Sequence, residues 1–253
     1  MDRKHNKNLR IHDKIFTTPD EVHQSLFQQW RNIASAAIEK NGYCTVALSG
    51  GNTPQKLFRN LRESLKNDFW ENTGIFMVDE RFVPENHPDS NQKMIRENLL
   101  GQDFNNHPYF YPIPIMEDVK KSAQAYQDIL INFFSLKPGE LPVFDLILLG
   151  IGEDGHTASL FPEDLKKMET QNLVLPIHLE KLKQERITLT LPVLNQAKNI
   201  IFLVLGREKA GIVKTLLAGD DRRLPAARIA PKSGNLFFYL DYEAASLLDF
   251  PKK

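Results

Sequence analysis

The sequence predicts a three-layer α/β fold, in which a mainly parallel β-sheet lies between helices on both of its faces. Short and almost uninterrupted apolar runs alternate along the chain with longer segments whose apolar residues recur at helical spacing. Strands that are apolar throughout are typical of parallel sheets covered on both sides. Because 42% of the 253 residues are hydrophobic, the chain can bury a core of the size that such a fold needs.

The first predicted element is a helix that begins at Pro19 and ends at Asn41-Gly42. Thr18 can cap its first turn, proline suits the first helical position, and Glu21 can complete a capping box. Asparagine and glycine tolerate the left-handed conformation that ends many helices. These signals bound the helix at both ends.

The remaining elements follow in alternation: a strand at 43–48, a helix at 54–65, a strand at 74–78, helices around 95–100 and 119–133, strands at 144–149, 187–191 and 200–205, a helix beginning near 207, and a last strand at 236–240. The proline-containing stretches 109–116 and 137–142 are predicted to be surface connections. We therefore expect a single α/β domain over residues 18–253, preceded by a polar segment of residues 1–17.

Composition argues against several classes of protein. The 32 basic and 32 acidic side chains cancel, so no nucleic-acid or membrane partner is expected. Cys44 is the only cysteine and lies in an apolar run, so we predict a buried side chain and neither a disulfide nor a cysteine zinc site. No apolar run has the length of a membrane span or forms a signal peptide, which predicts a cytoplasmic location.

Unusual polar residues follow four of the predicted strands, at Ser49-Gly50-Gly51, Asp79-Glu80-Arg81, Gly150–His156 and Gly206–Lys209. In parallel sheets, ligands bind beyond the carboxyl ends of the strands. We therefore expect these four loops to converge on one site at that edge of the sheet.

The first of these loops has the composition of a phosphate-binding turn. Gly50 and Gly51 allow a tight turn with exposed N–H groups, and a helix N-terminus follows directly. Ser49, Asn52 and Thr53 add polar side chains, so all five residues are candidate substrate ligands. The glycine spacing matches neither a dinucleotide fingerprint nor a Walker loop. Taken alone, this pattern is about as common in an ordinary tight turn as in a phosphate-binding turn.

The second loop places three consecutive charges after an apolar strand, which core packing does not explain. Arg81 offers a fork of donors to a phosphate or to a developing oxyanion, and Asp79 can orient the substrate or Arg81 itself. A solvated turn is the alternative. Ser90-Asn91, a little further on, either caps the next helix or contributes to the site.

The third loop contains His156 two residues after Asp154, in a glycine-rich segment. A neutral imidazole can accept a proton from an attacking water, and a carboxylate partner fixes its tautomer. A histidine that only caps a turn is the alternative. Because the loop leaves an apolar strand of the sheet, we favour a catalytic base.

Two further cations are candidate ligands for an anion. Arg186 begins an alternating strand, and Lys209 begins a helix directly after a strand, where its ammonium can reach a phosphate; a solvated surface position is the alternative for any single lysine. The remaining histidines are assigned to the polar start, to surfaces or to loops, except His178, whose place is left open, and no pair has the spacing of a helical metal site. No catalytic metal is expected.

Together, these segments resemble the 6-phosphogluconolactonase family, through SGGNTP, DERFVP with a trailing SN, GEDGHTASLFP, RITLTLPVLNQA and the late LPAAR. The resemblance covers nearly the whole chain. It implies a modified Rossmann-like fold and hydrolysis of 6-phospho-D-glucono-1,5-lactone to 6-phospho-D-gluconate, a step of the oxidative pentose phosphate pathway, without a cofactor. The sequence leaves the oligomeric state open, and a monomer or a weak dimer is compatible with it.

The resemblance also assigns roles. His156 activates the water, Asp154 orients His156, and Arg81 and Lys209 with the Gly50–Thr53 loop hold the phosphate or the developing negative charge, with Arg186 in support. A lactone is already an activated ester, so a base and cations suffice without a covalent nucleophile. Ser159 lacks the elbow setting of such a nucleophile.

Two other functions remain as alternatives. The related glucosamine-6-phosphate deaminase/isomerase family carries a glutamate at the position of Phe161 and a tyrosine at that of Arg81, so both residues favour the lactonase. A non-catalytic sugar-phosphate sensor would need an attached DNA-binding module. The predicted first helix leaves no space for one before the domain.

Overall fold

The computed structural model describes residues 9–64, 70–101, 109–164, 170–180, 184–218 and 221–248. Its main sheet consists of β1 (Leu9–Phe16), β2 (Cys44–Leu48), β3 (Thr73–Met77), β5 (Phe110–Tyr111), β6 (Leu146–Leu149), β9 (Asn199–Val204) and β10 (Gly234–Asp241). The seven strands lie in the order β1-β10-β9-β6-β2-β3-β5, and every neighbouring pair is parallel.

The helices are α1 (Pro19–Asn41), α2 (Gln55–Ser64), α3 (Asn91–Ile95), α4 (Val119–Phe134), α5 (Leu191–Leu194) and α6 (Ala210–Ala218). Every residue of β2, β3 and β6 is buried, so the centre of the sheet is covered on both faces. This confirms the predicted three-layer α/β class. The predicted helix at 54–65 begins one residue later than expected, and Leu65 lies outside the described residues.

Helix α1 begins and ends where its sequence signals predict. The Thr18 hydroxyl accepts the Glu21 N–H at 3.3 Å, and the Glu21 carboxylate accepts the Thr18 N–H at 3.2 Å. At the other end, Gly42 has φ +81° and donates to the Ile38 carbonyl. Because these contacts satisfy end groups that have no partner within the helix, they fix its ends.

A second and smaller sheet was not predicted. It consists of β4 (Asp79–Arg81), β7 (Val174–Leu179) and β8 (Gln184–Leu189), in the antiparallel order β4-β8-β7. Asp79–Arg81 was predicted to be a loop and 187–191 a strand of the main sheet, and both predictions were wrong. Three charged residues carry no apolar period, and they form a strand only because β8 supplies the partner.

Val78 joins the two sheets, since it is the one residue between β3 and β4. Its N–H donates to the Leu48 carbonyl of the main sheet at 2.9 Å, and its carbonyl accepts the Leu189 N–H of the small sheet at 2.8 Å. The side chain is fully buried. The start of β4 is therefore fixed relative to both sheets.

Strand β1 lies within the segment that the sequence analysis set apart as polar. It pairs with β10 over its whole length, from Leu9 opposite Gly234 to Phe16 opposite Asp241. It is an edge strand whose side chains at 10–16 are exposed or half-buried, which explains the lack of an apolar run. Residues 9–16 of the predicted polar segment thus belong to the sheet.

Two predictions about side chains have opposite outcomes. Cys44 is fully buried, as predicted, and burial raises the pKa of its thiol. His23 was assigned to a helix surface, but it is only 4% exposed and faces the turn after β2. None of the described helices is long and apolar enough to cross a membrane.

Candidate active site

The turn after β2 forms one wall of a cavity at the carboxyl ends of the strands. Gly51 has φ +95°, which favours glycine, and a Cβ at Gly50 would lie 1.8 Å from the Asn91 side-chain oxygen. The buried Ser49 hydroxyl has no hydrogen-bond partner among the described residues. A turn with close-packed backbone and an unused hydroxyl can accept an anionic ligand.

The small sheet supplies a second wall. In β4, successive side chains point to opposite sides, and Asp79 and Arg81 both line the cavity. Asp79 is 6% exposed, and its carboxylate accepts the Ser159 hydroxyl at 2.7 Å. This bond holds the carboxylate in a fixed orientation at the cavity wall.

Arg81 and Arg186 lie directly opposite each other in the β4–β8 pair. The Arg81 Nη1 donates to the Asp89 carbonyl at 2.6 Å, and the Arg186 Nη2 donates to the Gln184 side chain at 2.8 Å. Both Nε atoms are buried without a partner among the described residues. Burial, and then the charge of Arg81, lowers the pKa of Arg186. Two facing guanidinium groups with unused donors form a strong site for an anion.

The glycine-rich loop after β6 carries His156 and Asp154. The His156 Nδ1 lies 2.5 Å from a carboxylate oxygen of Asp154, and the same oxygen accepts the His156 backbone N–H at 3.1 Å. With the carboxylate ionised, Nδ1 carries the proton and Nε2 is the nitrogen that can accept one. The pair therefore has the arrangement of a general base with its orienting carboxylate.

Close packing fixes the position of the imidazole. A Cβ at Gly152 would lie 2.1 Å from the His156 Nδ1, so the ring rests directly on the glycine backbone. The ring of Phe161 lies at a centroid distance of 4.5 Å from the imidazole. The loop itself is secured from below, because Ala226 donates its N–H to the Gly155 carbonyl at 3.0 Å.

Lys209 reaches the cavity from the end of β9, which pairs with β6 on the side opposite to β2. It ends a single 3₁₀ turn, Arg207–Lys209, which follows β9. The turn begins at Gly206, which has φ +94° and donates its N–H to both carboxylate oxygens of Asp241, at 3.0 and 3.1 Å. The Lys209 side chain is half-buried and adds a third cation to the cavity wall.

These walls enclose a cavity of about 230 Å³. The predicted site residues that line it are Ser49, Gly50, Gly51, Thr53, Asp79, Arg81, His156, Arg186 and Lys209. The predicted convergence of the four strand-end loops is therefore confirmed. Two predicted site residues do not line the cavity. Asp154 contacts it only through His156, whereas Asn52 is exposed and accepts the Gln55 side-chain N–H at 3.1 Å.

Comparison with known proteins finds one family model that matches most of the chain. Residues 17–238 match the family model described as glucosamine-6-phosphate isomerases/6-phosphogluconolactonase. The chain belongs to this family.

Curated and solved relatives place it within the glucosamine-6-phosphate isomerase/6-phosphogluconolactonase family. The chain is 40% identical to the 6-phosphogluconolactonase of Synechocystis, an alignment that covers 84% of this chain and 88% of the relative. It is 38% identical to the human 6-phosphogluconolactonase, over 94% and 93% of the two chains. The solved 6-phosphogluconolactonase of Trypanosoma brucei superposes with a TM-score of 0.82 at 30% identity, over 95% and 99%. The chain is accordingly an enzyme of the lactonase type.

Three residues in or behind the cavity wall, Asn91, Ser159 and Glu80, were not assigned to the site from the sequence, although Ser90-Asn91 was left open between a helix cap and a site role. Asn91 is buried, lines the cavity, and donates from its side chain to the Asp79 carbonyl at 3.0 Å. Its neighbour Ser90 caps α3 by accepting the Lys93 N–H, so the two alternatives for Ser90-Asn91 each hold for one residue. Ser159 is fully buried against Asp79, and Glu80 is fully buried behind the cavity. Local composition does not distinguish these residues from an ordinary cap or a solvated turn.

Proposed function

We propose that the protein hydrolyses 6-phospho-D-glucono-1,5-lactone to 6-phospho-D-gluconate, with His156 as the general base. One observation carries the proposal: an imidazole held by a carboxylate shares a single cavity with three cations. The reaction requires a base for the attacking water and positive charge for two anionic groups, the phosphate and the carbonyl oxygen.

The first step is the attack of water on the lactone carbonyl. The His156 Nε2 accepts a proton from the water while Asp154 stabilises the imidazolium through Nδ1. The carbonyl oxygen becomes an oxyanion. As the tetrahedral intermediate collapses, the bond between the carbonyl carbon and the ring oxygen breaks, and the ring oxygen takes the proton from the His156 imidazolium, which returns the base to its neutral form. The Ser159 side chain is fully buried, donates to Asp79 and is not among the described residues that line the cavity, so the reaction proceeds by direct attack of water and not through an acyl-enzyme on this serine.

The anionic groups of the substrate are held by the cavity walls. The phosphate and the charge that develops on the carbonyl oxygen are bound by the turn Ser49–Thr53 and by three cations, Arg81, Arg186 and Lys209. The facing arginines support this assignment, because their buried Nε donors have no partner among the described residues and an anion in the cavity would supply one. Asp79 orients Arg81 and the sugar hydroxyls from the same wall.

The test is the loss of the lactone above its spontaneous hydrolysis, followed for the wild type and for His156→Ala. We expect the variant to lose about 10²–10⁴-fold in kcat, the usual contribution of a general base, with a smaller change in KM. His178→Ala is the matched control, because His178 lies on β7 with an exposed side chain.

Two results would contradict the proposal. One is a His156→Ala enzyme as fast as the wild type. The other is a wild type that releases ammonia from glucosamine 6-phosphate but does not accelerate the opening of the lactone, which would assign the chain to the isomerase side of its family.

A further inference from the structure

Glu80 is a charged residue that the proposed reaction does not use. It lies in β4 between Asp79 and Arg81, so its side chain points away from the cavity that its two neighbours line. It is fully buried, which is unusual for a carboxylate. Burial raises the pKa of Glu80, backbone N–H groups oppose this shift, and the charge of Asp79 adds to it.

We propose that Glu80 is a positioning residue that holds Arg81 and Asn91 in the geometry of the anion site. The proposal rests on the proposed function for the identity of the ligand. Glu80 contacts neither the substrate nor the reacting atoms. It acts through the backbone of the residues that do.

The carboxylate accepts four hydrogen bonds, two on each oxygen. Oε1 accepts the backbone N–H groups of Arg81 and Asn91, each at 2.7 Å. Oε2 accepts the Gln92 N–H at 2.7 Å and the Ser90 hydroxyl at 3.1 Å. Four donors directed at one buried group favour its ionised form and leave it a single orientation.

These bonds hold together the two ends of the connection between β4 and α3. Arg81 stands at the start of the connection and Asn91 at its end, and one carboxylate oxygen holds both. The Arg81 guanidinium adds a second tie across the same connection, since it donates to the Asp89 carbonyl. The backbone from which Arg81 extends therefore depends on Glu80.

The effect continues to the turn after β2. The Asn91 side chain donates to the Asp79 carbonyl at 3.0 Å and packs so closely on Gly50 that no Cβ would fit there. A shift of the Asn91 backbone thus moves the wall that supports Gly50. The Glu80 carboxylate thereby fixes the distance across the cavity between the turn after β2 and Arg81.

Glu80→Gln tests the proposal because it preserves size but replaces one acceptor oxygen with a donor. The two donors that face the new amide group then lose their acceptor. We expect kcat/KM for the lactone to fall by about tenfold at a temperature well below the melting temperature, because Arg81 and Asn91 lose their fixed positions and small misplacements of binding groups lower the rate. Backbone hydrogen exchange in residues 49–54 should become faster.

Asp145→Asn is the matched control. Asp145 is also a buried carboxylate, and it accepts the Thr45 N–H, the Thr45 hydroxyl and the Lys198 ammonium at 2.9, 3.1 and 2.6 Å. It stands at the amino end of β6, whereas the cavity lies beyond the carboxyl ends. Its substitution should lower the melting temperature but leave kcat/KM within about twofold of the wild type.

The outcomes separate this proposal from the proposed function. Unchanged kinetics and unchanged exchange in Glu80→Gln would overturn the positioning role, and so would equal losses in Asp145→Asn. A wild type that does not open the lactone would overturn the proposed function, while the exchange measurement would still decide the role of Glu80. If Glu80→Gln does not fold, Ser90→Ala removes one of the four donors and must show a smaller change in the same direction.

Discussion

At His156, the position of the ring depends on Gly152 as much as on Asp154. The carboxylate fixes the tautomer, but the glycine fixes how deep the ring lies in the loop, because the imidazole occupies the space of a Cβ. The Gly152 N–H also donates to the His156 carbonyl at 2.9 Å. The backbone and the side chain of the base are thus set by the same residue.

Gly152→Ala should therefore lower activity through geometry. The added methyl group has to displace the ring or the backbone, and a misplacement of about 1 Å can cost about 100-fold in rate. We expect kcat to fall by about 10–100-fold, with a smaller change in KM. Steady-state kinetics of lactone opening measures both constants.

Gly211→Ala is the control for this substitution. A Cβ at Gly211 would meet no atom within 4 Å, and the residue lies in α6. Alanine there should keep the activity and add roughly 0.5–1 kcal/mol to the free energy of unfolding. Equal activities of the two alanine variants would show that the packing on Gly152 does not position the base.

Individual residues divide into those that the sequence predicts and those that need the fold. Asp79, Arg81 and His156 follow apolar strands, where a polar residue has little reason to lie unless it serves a ligand. Glu80 lies in the same motif as Asp79 and Arg81, yet its partners at 90–92 are ten to twelve residues away and meet it only after the connection folds back. Short-range patterns do not encode such a contact.

At the scale of elements, the β4–β8 pair has unfavourable local energetics. Arg81 and Arg186 are directly opposite, and like charges in such a position destabilise a strand pair. Their buried Nε atoms increase the cost. A site that is strained without its ligand is expected where the ligand relieves the strain.

Arg186→Met should accordingly make the ligand-free protein more stable and the enzyme worse. Methionine keeps an unbranched apolar stem and removes the repulsion, so we expect a gain of about 1 kcal/mol, or about 2–4 °C in melting temperature. KM should rise about tenfold or more as one cation is lost. Thermal unfolding without ligand and steady-state kinetics measure the two effects.

Arg31→Met provides the comparison, since Arg31 is exposed on α1. It should change neither quantity. A lower melting temperature for Arg186→Met in the absence of ligand would mean that Arg186 is structural, and the interpretation of the facing arginines would be withdrawn.

The elements themselves were predictable to the extent that they carry an apolar period. The central strands and α1 have clear patterns, and their boundaries agree with the structure to within one or two residues. The strands β1 and β4 do not have such patterns, because edge exposure or charge removes the alternation, and the apolar run of β7 is interrupted by Pro176 and His178. Their existence depends on a pairing partner elsewhere in the chain, which one sequence does not reveal.

For the whole molecule, buried titratable groups rather than net charge should set the response to pH, because the formal charges cancel. His23 is one such group. Burial lowers its pKa, the hydrogen bond to the Thr53 carbonyl opposes this, the Lys56 charge lowers it further and the Asp20 charge opposes that. The folded protein therefore keeps His23 neutral at a pH where the unfolded chain protonates it.

The sign of the effect follows from proton binding. Above the ordinary histidine pKa of about 6.5, both states are neutral and the stabilisation is fully present. As the pH falls towards the lowered pKa of the folded protein, only the unfolded state gains the proton, and stability decreases. The free energy of unfolding should thus fall more steeply below about pH 6.5 in the wild type than in His23→Gln.

Denaturant titrations at several pH values measure this difference. His178→Gln, which alters an exposed histidine, should keep the slope of the wild type. A His23→Gln variant whose stability changes with pH as steeply as that of the wild type would show that His23 is not responsible.

The single-residue joint at Val78 limits how this scaffold can change. Insertions are tolerated in surface connections far more readily than inside paired strands. One additional residue at this joint would shift β4 by a single position. Asp79 and Arg81 would then point away from the cavity, and Glu80 would face it instead. The pairing of the main sheet therefore fixes which of Asp79, Glu80 and Arg81 face the cavity. On this scaffold, a new specificity has to come from substituted side chains or from rebuilt distant loops, and not from a change in chain length at Val78.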